Sequence, residues 1–175
     1  MSGSPDSIRL IGEQDLLRLA RLPRGTWSGW DRNGHYAPNE SGLYSEADVV
    51  SVVLFGLLAD AVSLREAGMA WRNGGTAVVE VCLGLPLDGN ERIAVVLDTH
   101  SLRITVASSG EEIFDRIHES VPAPRPWIAL PVGEIVEEAR KGFWLFAKPA
   151  AELARDGRRK ASAQTKKRAT QRRPN

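Results

Sequence analysis

The sequence predicts an α+β protein in which a mainly helical N-terminal module precedes a smaller α+β unit and a basic, disordered tail. Apolar residues recur at helical spacing up to residue 73, the runs that follow are short and rich in Val and Ile, and large apolar residues end at Leu153. These changes predict a flexible leader at 1–7, a module at 8–73, a hinge at 74–76, a small domain at 77–147 and a tail at 148–175.

The module opens with two short helices separated by a proline. Residues 13–21 place several apolar side chains on one helical face, and Pro23 ends this helix. Residues 24–33 form the second helix, although Gly25 and Gly29 each weaken it by roughly 1 kcal/mol relative to alanine, so that packing must hold it in place. Gly34 suits its C-cap, and residues 35–43 are rich in turn formers and predict a wing loop.

Two serines mark the starts of the remaining helices of the module. Ser45 is a favourable N-cap for a helix that begins near Glu46 and has a broad apolar face, with Asp48 in its first turn. Ser63 is the predicted N-cap of a further helix over 64–71, with Glu66 in its first turn.

The hydrophobic period changes after the two glycines Gly74 and Gly75. Residues 77–83 and 93–97 are predicted strands of a hairpin, joined by a turn around Gly89, and 102–106 alternates as a half-buried strand does. A helix over 111–120, a strand over 127–130 and a helix over 132–146 follow. The last helix carries apolar residues that suit either a homodimer seam or an ordinary core: Ile135, Val136, Phe143 and Trp144.

The formal net charge of +1 conceals an uneven distribution. Residues 155–175 hold nine Lys or Arg and one acidic residue, a net of +8, which leaves −7 on the first 154 residues. A segment of this composition cannot bury enough apolar surface to order itself. Two interpretations stay open: a solvated end without a specific role, or an arm that strengthens binding to any phosphate backbone, with RNA, membranes and acidic proteins as further partners.

Several classes of protein are disfavoured by what the sequence lacks. No run approaches the eighteen or so apolar residues of a membrane span, so we expect a cytoplasmic protein with no membrane partner. The lone Cys82 is predicted to be a core residue, and we expect no metal and no cofactor. The triad residue types at 98–101 lie too close in sequence to converge on a substrate, and no nucleophile elbow accompanies them, so we predict no enzyme.

Residues 11–67 contain an ordered series of residue types. The series opens with Ile-Gly and continues in the second predicted helix with a threonine followed by aromatic, acidic and basic residues. The series is Ile11, Gly12, Thr26, Trp27, Trp30, Asp31, Arg32, Gly34, Pro38, Gly42, Tyr44, Asp48, Ser63, Leu64 and Ala67. It resembles the winged helix-turn-helix DNA-binding domain of the MerR family of bacterial transcription regulators. Ser28 and Leu43 depart from it, because the family usually has arginine at both positions. Metal- and drug-sensing members continue into a long dimerising helix, whereas glycines and strands are predicted here, so no such response is expected.

The resemblance implies that the helix over 24–33 lies in the major groove of double-stranded DNA. Base edges are then read from its exposed side, and phosphate contacts set its orientation. The implied DNA-binding residues are Thr26, Trp27 and Ser28 at base edges, Arg24 and Arg32 at phosphates, and His35 and Tyr44 beside the backbone from the wing. For Trp27 and Trp30, packing in the core is the alternative.

The sequence therefore favours a dimeric, sequence-specific transcriptional regulator without catalytic residues. An excisionase-like protein that bends DNA and an antitoxin whose second domain binds a toxin are alternatives of the same class. A protein-interaction adaptor that has lost specific DNA binding is the alternative from another class. It is favoured by Ser28, by Leu43 and by the acidic body of the chain. Residues 8–73 contain seven Arg and no Lys against eight acidic residues, which is not the basic surface expected of a DNA-binding module. The C-terminal domain is the predicted surface for a protein partner.

Overall fold

The computed structural model describes residues 8–34, 36, 41–85, 93–109, 111–112, 115 and 127–155. Its fold is mixed helix and strand, as predicted. In chain order the elements are β1 (Arg9–Gly12), α1 (Glu13–Leu19), α2 (Arg24–Arg32), β2 (Leu43–Tyr44), α3 (Glu46–Ala61), α4 (Leu64–Gly84), β3 (Ala94–Asp98), β4 (Arg103–Ala107), β5 (Trp127–Pro131), α5 (Gly133–Phe146) and β6 (Lys148–Pro149).

The two predicted serine caps are confirmed by complete capping boxes. The Ser45 hydroxyl accepts from the Asp48 backbone N–H, and the Asp48 carboxylate accepts from the Ser45 N–H at 2.7 Å. Ser63 and Glu66 form the same reciprocal pair at the start of α4. Each box satisfies N–H groups that the first turn of a helix leaves without intrahelical partners.

The predicted hinge at 74–76 and the predicted strand over 77–83 are wrong, because both lie inside α4. Val78, Val79 and Cys82 are buried along this helix at helical spacing. Gly74 lies against β4, where an added Cβ would stand 2.9 Å from the carbonyl oxygen of Ile104. The glycine thus permits a close approach of helix and strand, and this packing outweighs the strand propensity of the β-branched run.

The second sheet has the order β4-β3-β5 and is antiparallel throughout. Its hairpin joins β3 to β4 and differs from the predicted one, whose turn at 86–90 lies outside the described residues. The turn is closed by the buried Asp98, whose carboxylate accepts from the backbone N–H groups of His100 at 2.9 Å and Ser101 at 3.2 Å. The triad residue types at 98–101 therefore build a turn. Of the predicted helix 111–120, only 111–112 and 115 are described.

A second, smaller sheet unites the two ends of the described chain. Its order is β2-β1-β6, with Ile11 paired to Tyr44 and Leu10 paired to Lys148. The strand β6 and the helical residues 150–155 lie where the sequence predicted a disordered tail, so that prediction is wrong for 148–155. Residues 156–175 lie outside the described residues.

One hydrophobic core runs through both predicted domains, from Ile11 in β1 to Ala147 after α5. In α5, Val136 and Phe143 belong to this core, whereas Ile135 and Trp144 are exposed. The helix predicted over 132–146, for which a dimer seam and an ordinary core were the alternatives, thus contributes one of its faces to the core. None of the helices within the described ranges combines the length and apolar character that crossing a bilayer requires.

Candidate nucleic-acid interface

The helix α2 follows a short turn after α1 and is bounded by backbone signals at both ends. Pro23 precedes it in an extended conformation, with φ of −62° and ψ of 138°. Gly34, at φ +65°, donates its N–H to the Asp31 carbonyl at 3.0 Å and directs the chain away from the helix. The predicted helix is confirmed over 24–32, with Asn33 as its C-cap and Gly34 as the positive-φ residue that follows the cap, and nine residues give α2 a length of about 13 Å.

One face of α2 is held in the core by two tryptophans. Trp27 and Trp30 are 4% and 5% exposed. The Trp30 ring meets Phe55 of α3 edge-on, with 4.8 Å between centroids, and the Trp27 ring lies 5.8 Å from that of Tyr36 and 6.2 Å from that of Tyr44. This aromatic packing supplies the stabilisation that a helix with two interior glycines requires.

Two of the predicted DNA-binding residues are core residues instead. Trp27 has its indole inside the aromatic cluster, so the prediction that it faces base edges is wrong and the packing alternative is observed. Tyr44 is 2% exposed, contrary to its predicted position beside the DNA backbone. Burial raises the pKa of its hydroxyl above the usual value. Burying a large aromatic ring contributes more to stability than leaving it on the surface of a short helix.

The rest of the α2 surface is exposed and carries four of the predicted site residues: Arg24, Thr26, Ser28 and Arg32. By the helical period, Ser28 and Arg32 lie opposite the tryptophans together with Gly25 and the half-buried Gly29, whereas Arg24 and Thr26 lie at the two edges of this surface. A Cβ added to either glycine would meet no atom of the described residues within 4 Å. These glycines therefore meet no steric need of the fold itself. The result is a shallow, polar helix face with an arginine at each end.

The charges around this face nearly cancel. Arg24 Nε lies 3.7 Å from the Glu13 carboxylate of α1, and both groups are partly or largely exposed. Asp31 is exposed on the turn that also carries Arg32, for which no ion pair is present among the described residues. The face is polar rather than strongly basic.

The wing position is only partly described. Two features lie directly before β2. Gly42 has a φ of +64°, and the Ser41 hydroxyl accepts from the Leu43 N–H at 3.1 Å. The strand β2 pairs with β1, with Ile11 opposite Tyr44 and Gly12 opposite Leu43. His35, another predicted DNA-binding residue, and residues 37–40 of the loop lie outside the described residues.

The C-terminal helix α5 holds the turn between α1 and α2. Arg21, in this turn at φ +51°, forms an ion pair of 2.8 Å with Glu138 of α5. A Cβ at Gly142 of α5 would overlap Leu19 of α1, and Arg18 lies over the ring of Phe146 at 5.2 Å. Sequence reasoning missed these contacts because they join residues more than a hundred positions apart.

The buried Arg140 is the strongest of the missed anchors. Its Nε donates to the Glu46 carboxylate at the start of α3 at 2.8 Å, and its Nη1 donates to the carbonyls of Cys82 at 3.2 Å and Leu85 at 2.6 Å. It thereby satisfies carbonyls at the end of α4, which have no intrahelical partner. The sequence does contain a signal for this anchor. Arg140 lies four residues after Val136, and is therefore a lone arginine on the apolar face of the predicted helix 132–146.

The described residues offer little to a metal. No group of three His, Cys, Asp or Glu side chains within the described ranges is placed to hold one. Cys82 is buried as predicted, and burial raises the pKa of its thiol to about 11 although Arg140 opposes the shift. A thiol with such a pKa is a poor nucleophile and a poor metal ligand at neutral pH.

No model of a protein family matches the sequence, and no curated protein is significantly similar to it.

Proposed function

We propose that this protein binds double-stranded DNA sequence-specifically and regulates transcription, with α2 as the recognition helix of a MerR-like winged helix-turn-helix. The resemblance of residues 11–67 is the origin of the proposal. The observation that carries it furthest is the division of α2 into a tryptophan face fixed in the core and a remaining surface of small residues, with Gly25, Thr26 and Ser28 exposed.

The exposed glycines support a partner that approaches the helix backbone closely. Each glycine inside a helix costs roughly 1 kcal/mol relative to alanine, and no steric contact among the described residues requires glycine at position 25 or 29. An α-helix with side chains is about 10–12 Å in diameter, and one with side chains as small as those of α2 fits a major groove about 12 Å wide. Glycine is the residue that permits close approach of backbone to a ligand.

The residue roles follow from position on α2. Thr26 and Ser28 are the side chains that would read base edges, through hydroxyls that donate and accept hydrogen bonds. Arg24 and Arg32 stand roughly 12 Å apart along the helix axis and would contact phosphates on the two sides of the groove. Trp27 takes no part in contacting DNA and instead fixes the orientation of the helix.

The test is selection of bound sequences from random duplex DNA with the full chain at moderate salt, followed by the same selection with Thr26→Ala. We expect an enriched motif that loses its preference at one or two positions in the variant. Thr76→Ala is the matched control, because Thr76 is also an exposed helical threonine, on α4, and the motif should be unchanged. A palindromic motif would further indicate a homodimer.

Absence of any enriched sequence would overturn the proposal and favour the interaction adaptor. An enriched motif that Thr26→Ala and Ser28→Ala both leave intact would place specific readout elsewhere than α2. Thermal unfolding of each variant distinguishes lost recognition from lost folding, since substitutions on this exposed face should change stability by at most about 0.5 kcal/mol.

A further inference from the structure

The strand β5 lies at one edge of its sheet, and its pairing with β3 fixes which backbone groups point outward. The Val132 N–H donates to the Ile93 carbonyl at 3.0 Å, so these residues form a hydrogen-bonded pair. In an antiparallel ladder such pairs alternate with pairs that exchange no hydrogen bond. The backbone groups of Trp127, Ala129 and Pro131 therefore point away from β3. No other residue in the described ranges forms a hydrogen bond with these outward groups, and Ala129 and Pro131 are exposed.

The opposite edge of the sheet, on β4, is covered by α4. The remaining residues of β3 face β4, and by the same alternation they leave the Ile104 carbonyl pointing outward. An added Cβ at Gly74 of α4 would stand 2.9 Å from this carbonyl oxygen. Asn73 of α4 also donates its side-chain N–H to the Leu102 carbonyl at 3.2 Å. Within the described residues the helix thus shields the edge of β4 and leaves the edge of β5 open to a further strand.

The composition of β5 suits pairing with another strand. Its five residues, Trp127–Pro131, carry no charge, whereas exposed edge strands usually hold lysine or other charged residues that prevent pairing. Ile128 and Leu130 lie on the core face of the sheet but are only half-buried at this edge. Pro131 is the one protective residue, and it withholds an N–H while still offering a carbonyl. The edge therefore presents both apolar surface and unused backbone groups to a partner.

A second copy of β5 supplies what this edge requires. When two copies run antiparallel about Ala129, the two Ala129 residues exchange two hydrogen bonds, and each Trp127 N–H donates to the partner's Pro131 carbonyl, which makes four in all. Both outward N–H groups of each copy are then satisfied, and the N–H that proline lacks leaves only the Trp127 carbonyl to water. Ile128 lies opposite the partner's Leu130, and no like charges meet.

We propose that two copies of the chain pair through β5 and join their sheets into one of six antiparallel strands. A second copy fits this edge better than a strand of unrelated sequence, because a two-fold axis matches its donors, its acceptors and the gap at Pro131 by symmetry. The pairing does not rest on the proposed function. It would nevertheless give a DNA-binding protein the two-fold axis with which dimers read two half-sites.

The test is sedimentation equilibrium of the full chain without DNA, over chain concentrations from about 1 to 500 µM, because interfaces below about 1,200 Å² are weak. We expect a reversible monomer–dimer equilibrium. Ala129→Pro removes two of the four intermolecular hydrogen bonds and none of those to β3, and Ala129→Lys places like charges opposite each other. Each should raise the dissociation constant at least about tenfold. Ala77→Lys is the matched control, because Ala77 is an exposed alanine of α4, and it should leave the equilibrium unchanged.

A disulfide tests the register itself. In a hydrogen-bonded antiparallel pair the two Cα atoms lie about 5.5 Å apart, a distance that a disulfide spans. Ala129→Cys should therefore cross-link the dimer under mild oxidation, whereas Ala77→Cys at the same concentration should not. The native Cys82 is buried and should not compete. Thermal unfolding of each variant shows whether it is folded.

Three results would overturn the assignment: a chain that stays monomeric over the whole concentration range, a dimer that Ala129→Lys and Ala129→Pro both leave intact, or equal cross-linking of Ala129→Cys and Ala77→Cys. Failure of this pairing and failure of the recognition helix are distinguishable. A monomer that still selects a DNA motif would remove the pairing and leave α2 as the reader. A dimer through β5 without any selected motif would do the reverse.

Discussion

The ion pair between Arg140 and Glu46 offers a sharp test of how the C-terminal helix supports the N-terminal module. The two side chains are 10% and 20% exposed and lie 2.8 Å apart. Glu46→Gln keeps the shape and a hydrogen bond accepted from the Arg140 guanidinium, but it removes the carboxylate charge. Removing one partner of a buried ion pair altogether costs about 3–5 kcal/mol, and the retained hydrogen bond should reduce this loss. With the Arg140 cation left buried beside two carbonyls, we expect a loss of about 2 kcal/mol.

Glu138→Gln is the matched control for this substitution. Glu138 pairs with Arg21 at the same distance of 2.8 Å, but the side chains are 70% and 77% exposed. Exposed pairs contribute little, so we expect at most about 0.5 kcal/mol. Urea denaturation gives both values, and thermal melting should show a fall of roughly 4–8 °C for the buried pair alone.

A double-mutant cycle separates the ion pair from the position of Glu46 in the first turn of α3, where any acidic side chain is favoured by the helix dipole. In an Arg140→Met background, Glu46→Gln should cost only the dipole contribution of about 0.5 kcal/mol, which leaves a coupling of about 1.5 kcal/mol. Equal losses in Glu46→Gln and Glu138→Gln, or a coupling near zero, would refute the argument that burial gives this pair its strength.

Three further predictions follow from local contacts. Ser45→Ala should lower the free energy of unfolding by about 1 kcal/mol in urea titrations, and Ser45→Gly by only a few tenths, because glycine is a tolerated N-cap. Gly74→Ala should destabilise by about 1–3 kcal/mol through its clash with Ile104, whereas Gly84→Ala, with open space around its Cβ, should not; equal effects would contradict close packing at Gly74. Cys82, whose thiol has its pKa raised to about 11, should react with a thiol reagent at pH 8 at roughly a thousandth of its thiolate-limited rate until urea unfolds the chain. Rapid labelling of the native protein would contradict its burial.

The helices of the N-terminal module were predictable because their signals are local. Ser45 and Ser63 each have an acidic partner three residues later, and Gly34 meets the positive φ that a helix C-cap requires. Such signals act within one turn of helix and do not depend on the rest of the fold. The strand β4 was equally accessible, since Ile104 and Val106 alternate with polar neighbours.

Local sequence signals did not predict that α4 continues to Gly84. Its second half combines two glycines with a β-branched run, a combination that locally favours a break and a strand. The deciding contacts are tertiary: Trp71 covers Gly75, and β4 packs against Gly74. The strands β1 and β6 escaped prediction for a related reason, because a strand of two to four residues is specified by its pairing partner, and Arg9 is separated from Pro149 by 140 positions.

For the candidate interface, the difficulty was to decide which residues of α2 pack in the core and which are exposed to a partner. Trp27 and Thr26 are adjacent in the sequence and both suit a recognition helix, yet one lies in the core and the other in solvent. The period alone does not separate them, because Thr26 and Trp27 lie four and three positions before Trp30 and both neighbour its face; the packing of Trp27 against Tyr36 and Tyr44 decides which of the two is buried. Ser28, four positions after Arg24 and four before Arg32, is exposed together with both arginines, of which Arg24 lies 3.7 Å from Glu13.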